Sequence, residues 1–192
     1  MSPNDRQSLR EHYRARRNAL NERDRRAAEA AIAAHIVALL ETRAADTTIF
    51  AYRAHGGEVA LDRLFEQSHR NFALPRITST RTMAFHRWRG GEALRTNRFG
   101  IGEPAPEAPR VQPQATDLML VPLVAWDRRG TRLGMGGGFY DRYLHGLAEP
   151  PALVGVAFAC QEHSEPLPRE AWDVPLTSIV SETGIVAARA SE

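Results

Sequence analysis

The 192-residue chain contains no lysine, and all 25 of its basic residues are arginine. This absence excludes a Schiff-base mechanism and a phosphate-binding loop of the Walker A type, because both require a lysine amino group. A single cysteine, Cys160, excludes an internal disulfide bond and a cysteine-rich metal site, and we expect it to be a small buried hydrophobe. The seven histidines show no HExxH spacing, so the pattern does not indicate a structural zinc site.

Long apolar runs are also missing. No stretch approaches the roughly 18–20 residues that a membrane-spanning helix needs, and the first residues lack the apolar segment of a signal peptide. The composition, 43% hydrophobic and 25% charged, is typical of a globular protein. We therefore expect a cytoplasmic protein without a membrane partner, folded as a single domain over residues 1–192.

Positive charge is concentrated at the start of the chain. The net charge is only +2, yet eight arginines fall within the first 26 residues. Such clustering is compatible with binding of nucleic acid or of another phosphate-bearing ligand, and equally with a solvated helix face. The composition alone leaves these alternatives open.

Hydrophobic periodicity predicts alternating helices and strands. A basic helix over residues 6–20 precedes a second helix that Asn21 can cap, and a third is expected over residues 59–70. Strands are expected near 47–52, at 71–77 with an end at Pro75, and at 82–88, 118–126, 152–158 and 176–180. The proline-rich residues 103–116 are expected to be an exposed connector. This order favours an α/β fold with an open, mostly parallel sheet and helices on both faces.

The most informative stretch is DRRGTRLGMGGGFYDRYL, residues 127–144. A strand, a glycine loop and a helix start in this order can turn backbone N–H groups toward one anion, and Arg132 can add a guanidinium. GMGGGF lacks the third glycine of the dinucleotide-binding fingerprint. A simple tight turn would also account for the glycines. Asp141 follows the loop, where it can accept a magnesium ion or stabilise the helix end.

This stretch closely resembles the signature of the 5-formyltetrahydrofolate cyclo-ligases, also called methenyltetrahydrofolate synthetases. Further resemblances follow in the family's order along nearly the whole chain: RQSLREHYRARRNAL, GGEVALDRLFEQ, FGIGEP and EAWDVPLTSIVSE. RLGMGGGFYDRYL is highly specific, whereas the other segments are weak singly and strong as a series.

The resemblance implies ring closure of 5-formyltetrahydrofolate to 5,10-methenyltetrahydrofolate, with ATP as co-substrate, Mg²⁺ as cofactor, and ADP and phosphate as products. It also implies a single α/β domain related to the sugar-phosphate isomerase and CoA-transferase-like folds. The expected partner is 5-formyltetrahydrofolate, with or without a polyglutamate tail, and the expected state is a monomer that binds no nucleic acid.

Site residues are implied in the same way. The ATP-binding set is Arg6, Arg10, Arg132, Leu133, Gly134, Met135, Gly136, Gly137, Gly138, Phe139 and Tyr140. The folate-binding set is Glu58, Phe99, Met135, Gly136, Gly137, Gly138 and Phe139. Arg132 and Tyr140 are the implied catalytic residues, and Asp141 and Asp173 the implied magnesium ligands. A carboxylate such as Glu58 suits the pterin ring, because the ring presents adjacent N–H donors.

Two positions depart from the family pattern. Arg6 stands where lysine is common, and Gly137 stands where some relatives have a lysine that reaches the phosphates. Arg128, Arg129 or Arg132 is expected to supply the missing charge. These departures leave open a relative that binds folate without turnover. The arginine-rich first helix leaves open an RNA-binding element, although the chain has no recognisable RNA-binding module.

Overall fold

The computed structural model of the protein describes residues 5–189. The α-helices in this range are α1 (Arg6–Asn18), α2 (Glu22–Glu41), α3 (Asp62–Gln67) and α4 (Phe139–His145). The strands are β1 (Thr48–Phe50), β2 (Asn71–Ile77), β3 (Met83–Trp88), β4 (Arg95–Thr96), β5 (Gly102–Glu103), β6 (Arg110–Val111), β7 (Leu118–Pro122), β8 (Ala125–Trp126), β9 (Arg132–Leu133), β10 (Ala152–Val156), β11 (Ser178–Ser181) and β12 (Gly184–Ala187).

Eight strands form one sheet in the order β12-β11-β10-β7-β1-β2-β3-β6. The five central strands, from β11 to β2, run parallel, and antiparallel strands are added at both edges. The open, mostly parallel sheet predicted from the sequence is therefore confirmed. Strands β4 with β5 and β8 with β9 form two small antiparallel ribbons outside this sheet.

Side chains of the central strands alternate between two buried clusters. In β7, Leu118 and Leu120 belong to one cluster, whereas Met119 and Val121 belong to the other. The first cluster includes apolar residues of α2 and α3, and the second includes Leu144 of α4. Burial on both faces explains why this strand is a continuous apolar run. No helix among residues 5–189 is long and apolar enough to cross a membrane.

Strand β2 does not end at Pro75, as the sequence predicted, but continues to Ile77. Its parallel pairing with β1 stops at Ala73, opposite Phe50, whereas its antiparallel pairing with β3 extends over all six residues from Phe72 to Ile77. Pro75 therefore lies beyond the end of β1, where the missing N–H costs no ladder hydrogen bond on that side. The error came from treating the proline as a break without knowing where the neighbouring strand stops.

Two other predictions of local structure need correction. Residues 118–126 are not one strand: β7 ends at Pro122, and β8 pairs instead with β9 in a separate ribbon. Residues 103–116 are more than an exposed connector, because β6 within them adds the last strand to the sheet through pairing with β3. Both errors arose because an apolar or proline-rich run does not reveal where the backbone changes sheet.

Candidate active site

The carboxyl ends of parallel strands β1, β2 and β7 meet at one edge of the sheet, and a cavity of about 310 Å³ lies there. Ligands of open α/β sheets commonly bind in this position. Tyr52, Ile77 and Pro122 line the cavity from the strand ends, and the glycine loop closes another side. The fold therefore brings the loop against Tyr52 and Ile77, which lie more than fifty residues earlier in the chain.

Most of the residues implied for folate line this cavity: Glu58, Phe99, Met135, Gly137, Gly138 and Phe139, together with Arg132, Gly134, Tyr140 and Asp141. Gly136 is not part of the lining. Phe99 and Met135 differ from most large apolar side chains of this protein because they are 44% and 38% exposed. Their exposure at a mostly apolar cavity provides surface that a ring system could cover.

The glycine loop adopts a conformation that side chains would oppose. Gly136 and Gly138 have φ angles of 100° and 63°, in the region that favours glycine. Gly138 is also the N-cap of α4. Leu133, in contrast, is fully buried in a cluster with Leu9 and Tyr13 of α1, so only its backbone is available to a ligand.

Helix α1 contacts the loop through Arg10, which is not part of the cavity lining. Arg10 Nε donates to the carbonyl oxygen of Gly134 at 2.9 Å, and Arg6 Nη1 donates to Asp173 Oδ2 at 2.7 Å. Burial, and then repulsion from Arg6, lowers the pKa of Arg10. Arg6 therefore pairs directly with Asp173, and the charges of Arg10 and Arg132 also act on this carboxylate. Such a concentration of arginine beside a glycine loop suits a polyanionic ligand.

Arg132 is buried at the junction between this arginine cluster and the cavity. Its guanidinium donates to Asp141 Oδ1 and to the carbonyl oxygen of Val174, and its side chain is only 5% exposed. Burial lowers the pKa of Arg132, whereas Asp141 and Asp173 act to raise it. The two carboxylates implied for magnesium thus both act on the same guanidinium.

Asp141 and Asp173 fit a magnesium site only together with other ligands. No group of three or more histidine, cysteine, aspartate or glutamate side chains is placed to hold a metal in the part of the chain described. In that part, hydrogen bonds engage Oδ1 of Asp141 and Oδ2 of Asp173, so the second oxygen of each carboxylate has no protein partner. Magnesium commonly binds one or two carboxylates and completes its shell with phosphate oxygens and water, which matches this donor set.

Glu58 enters the cavity from a tight turn over residues 55–58. Its Oε2 accepts a hydrogen bond from the backbone N–H of His55 at 3.0 Å. Burial raises the pKa of Glu58 from its ordinary value of 4.5 to about 7, although the His55 N–H and Arg17 act to lower it. The carboxylate is therefore poorly solvated, as expected of a group that waits for donors from a ligand.

The hydroxyl group of Tyr140 is buried and has no hydrogen-bond partner within residues 5–189. Burial, followed by the charge of Glu58, strongly raises the pKa of this hydroxyl. It therefore remains protonated and can donate to an oxygen atom in the cavity. A buried donor without a partner is costly, which is consistent with a group that is satisfied only when a ligand is bound.

Two arginines at the site were missed by the sequence analysis. Arg142 Nε donates to the carbonyl oxygen of Arg81 at 2.8 Å, and its Nη2 donates to the carbonyl oxygen of Gly137. The guanidinium of Arg142 therefore lies at the loop, whereas the expected Arg128 instead pairs with Glu162. Arg17, the second missed residue, is fully buried beside the turn of Glu58. The only sequence signal for Arg17 was its place in line with Leu9 and Tyr13 of α1, a face otherwise apolar.

Comparison with known proteins is consistent with this geometry. A sequence profile described as the 5-formyltetrahydrofolate cyclo-ligase family matches residues 2–182. A 5-formyltetrahydrofolate cyclo-ligase from Haemophilus influenzae is 35% identical over 187 residues, covering 94% of this chain and 99% of the relative. One from Escherichia coli K12 is 38% identical over 144 residues, covering 70% and 77% of the two chains.

Solved structures give the same match. The structure of a 5,10-methenyltetrahydrofolate synthetase from Aquifex aeolicus superimposes with a TM-score of 0.82 at 32% identity, covering 97% of this chain and 94% of the other. The corresponding synthetase from Mycoplasma pneumoniae has a TM-score of 0.75 at 26% identity, with 93% and 99% covered. The similarity therefore includes the sheet, the helices and the segments around the cavity.

Proposed function

This chain belongs to the 5-formyltetrahydrofolate cyclo-ligase family, and we propose that it closes the ring of 5-formyltetrahydrofolate to give 5,10-methenyltetrahydrofolate at the expense of ATP. The products are ADP and phosphate. The names of its relatives support the reaction and the folate substrate. We also propose that the reaction uses Mg²⁺, and that the protein is a cytoplasmic monomer.

One observation carries the proposal: the glycine loop contacts two chemically different groups of residues. Arg10 bonds to the loop at Gly134, and its guanidinium group, with that of Arg6, suits the phosphates of a nucleotide. Gly134 also lines the apolar cavity with Glu58, which suits a pterin ring. A γ-phosphoryl group and a formyl oxygen could therefore meet at the loop, where few side chains intervene.

The reaction requires activation of a poor electrophile. The formyl oxygen attacks the γ-phosphorus of ATP, the bond to the β-phosphate oxygen breaks, and ADP leaves. The resulting N5-iminium phosphate carries a good leaving group, so N10 attacks its carbon and loses a proton. Phosphate then departs as the five-membered ring becomes the methenyl cation. This sequence needs alignment and charge neutralisation more than acid–base catalysis, as is general for phosphoryl transfer.

The residues of the loop have distinct roles in this proposal. Backbone N–H groups between Gly134 and Gly138 and the guanidinium of Arg132 stabilise the transferring phosphoryl group. The hydroxyl of Tyr140 donates a hydrogen bond to the reacting oxygen, which provides the partner that it lacks among residues 5–189. Glu58 accepts hydrogen bonds from the pterin and fixes its orientation.

Asp141 and Asp173 are the proposed ligands of magnesium, each through the carboxylate oxygen that does not bond an arginine. When bound, the ion would neutralise charge on the phosphates of ATP. Arg6 and Arg132 hold the two carboxylates in place and compete with the ion for their charge.

Product formation from 5-formyltetrahydrofolate tests the proposal directly. Absorbance of the methenyl chromophore should grow only when ATP and Mg²⁺ are both present, with one ADP released for each product formed. Tight folate binding without ATP-dependent absorbance would instead identify a relative that sequesters folate. Binding of RNA with a steep salt dependence, and no binding of folate, would identify an RNA-binding protein.

A further inference from the structure

Arg17 of α1 is a fully buried arginine that has no acidic partner in the described part of the chain. Its exposed fraction is 0%, and no aspartate or glutamate among residues 5–189 lies within ion-pair distance of its guanidinium. Its Nε atom has no hydrogen-bond partner in the same range. Burial lowers the pKa of Arg17, and Glu58 is the strongest influence that raises it. An unpaired buried charge is expensive, so its position calls for a specific interaction.

The donors of Arg17 reach the turn that carries Glu58. Nη2 donates to the carbonyl oxygen of Gly56 at 2.5 Å, and Nη1 donates to that of Leu123 at 3.3 Å. Arg25 of α2 adds a second support by donating to the carbonyl oxygen of Gly57 at 3.1 Å and to that of Arg17 at 2.8 Å. Two arginines from different helices therefore hold successive carbonyl groups of one turn.

This turn has a backbone that requires such support. Gly56 and Gly57 have φ angles of 58° and 88°. A Cβ atom at Gly57 would lie 2.7 Å from Oδ1 of Asn18, so the turn is pressed directly against the end of α1. The His55 N–H and carbonyl oxygen both bond to Glu58, which closes the turn and directs the carboxylate toward the cavity.

We propose that Arg17 is the positioning residue for Glu58: its buried guanidinium fixes the turn and favours the ionised carboxylate that the pterin ring requires. The proposal rests on the proposed function for its ligand. It explains the absence of an acidic partner, because a carboxylate paired directly with Arg17 would cancel the field that acts on Glu58.

Other charged and titratable groups surround the same carboxylate. They line the cavity or contact the turn and the residues next to it, and none of them is substituted in the test. They are Arg25 and Glu29 of α2, Tyr52, Arg53 and His55 after β1, Glu103 of β5, and Arg132, Tyr140 and Asp141 near the glycine loop.

The first test measures ionisation of Glu58 without any ligand. The carboxyl carbon is followed by NMR in protein labelled with ¹³C-glutamate, and the Glu58→Gln variant assigns its signal. We expect the midpoint of titration to rise by about one pH unit or more in Arg17→Met. Arg14→Met, an exposed site on the same helix, should leave it unchanged. An unchanged midpoint in folded Arg17→Met would overturn the proposal.

The second test measures binding of 5-formyltetrahydrofolate and of Mg-ATP by calorimetry at pH 7. Arg17→Met should weaken folate binding about fivefold or more and change nucleotide binding by less than about threefold. In a Glu58→Gln background the same substitution should have little further effect on folate, because Arg17 acts through the carboxylate. An equal loss in both backgrounds would refute this role.

Arg17→Lys separates the role of charge from that of folding. It retains the positive charge but has one nitrogen for two carbonyl groups, so the Glu58 midpoint should remain near the wild-type value while folate binding weakens. Unfolding of both Arg17 variants, shown by circular dichroism, would make Arg17 a structural residue and contradict the proposal. If wild-type protein bound no folate, the proposed function would fail, yet the ligand-free titration would still decide the role of Arg17.

Discussion

Replacement of Glu58 by glutamine should stabilise the folded protein while it weakens folate binding. Glutamine retains the size of the side chain but cannot ionise, so it avoids the cost of burying a charge. Its amide nitrogen also presents donors where the pterin presents donors, which breaks complementarity. The substitution therefore separates the stability of the fold, which the charge of Glu58 lowers, from folate binding, which requires that charge.

The magnitude follows from the pKa of Glu58, which burial raises from 4.5 to about 7. Between these values the folded state holds a proton that the unfolded state has released, so stability decreases as pH rises through this window. Above pH 7 the loss is complete and amounts to about 3 kcal/mol. Glu58→Gln should therefore be more stable than wild type by about 3 kcal/mol at pH 8, and by little at pH 4.5.

Folate binding should show the complementary dependence. If the ligand requires the ionised carboxylate, affinity for 5-formyltetrahydrofolate decreases about tenfold for each pH unit below 7, or about 30-fold at pH 5.5. Affinity should then be constant above pH 8, apart from titration of the ligand itself. Glu58→Gln should bind weakly at every pH, without this slope.

Urea denaturation at several pH values measures the stability difference, and calorimetry over the same range measures binding. Glu66→Gln on the exposed side of α3 is a matched control, because it removes one carboxylate without removing a buried charge. A Glu58→Gln protein that is less stable than wild type at pH 8, or one that retains folate affinity, would refute the reasoning.

Three further substitutions test the loop. Arg132→Met should abolish ATP-dependent turnover and lower stability by about 3 kcal/mol, because it leaves Asp141 without its ion pair; Arg128→Met, in an exposed pair, should do neither, and near-normal turnover of Arg132→Met would exclude its role. Tyr140→Phe should lower kcat roughly 100-fold yet leave stability equal or higher, since the lost hydroxyl has no partner in the residues described; unchanged kcat would remove Tyr140 from the reaction. Gly138→Ala should cost about 1–2 kcal/mol through its φ angle of 63° and also lower kcat/KM for ATP. Gly91→Ala, with φ 88° and open space, should cost similar stability and leave kinetics unchanged; equal kinetics for the two alanine variants would contradict the loop's role.

Much of the site could be predicted from the sequence because its signals are local. The run from Arg132 to Asp141 contains the strand end, the glycines and the helix start in consecutive positions, and this spacing favours an anion site over a simple tight turn. The parallel sheet could also be predicted from local signals, because continuous apolar strands that alternate with helical segments favour a parallel sheet buried on both faces. These features require no knowledge of distant contacts.

The remaining features depend on contacts between distant segments. Arg10 meets Gly134 across 124 positions, and Arg17 meets Leu123 across 106. The position of Arg17 in line with Leu9 and Tyr13 places it on the apolar face of α1 but does not show that it is buried, because burial depends on which segments pack against that face. Pro75 is a further example, because its missing N–H disrupts the sheet only if β1 extends far enough to pair with it.

Transfer of the formyl oxygen tests the central claim most directly. The claim is that the loop aligns the γ-phosphorus of ATP with the formyl oxygen of 5-formyltetrahydrofolate. Turnover of substrate labelled with ¹⁸O in the formyl group should release phosphate that contains one ¹⁸O atom, measured by mass spectrometry. Phosphate without the label, in a reaction that consumes ATP and forms the methenyl product, would show that the phosphoryl group never reaches that oxygen.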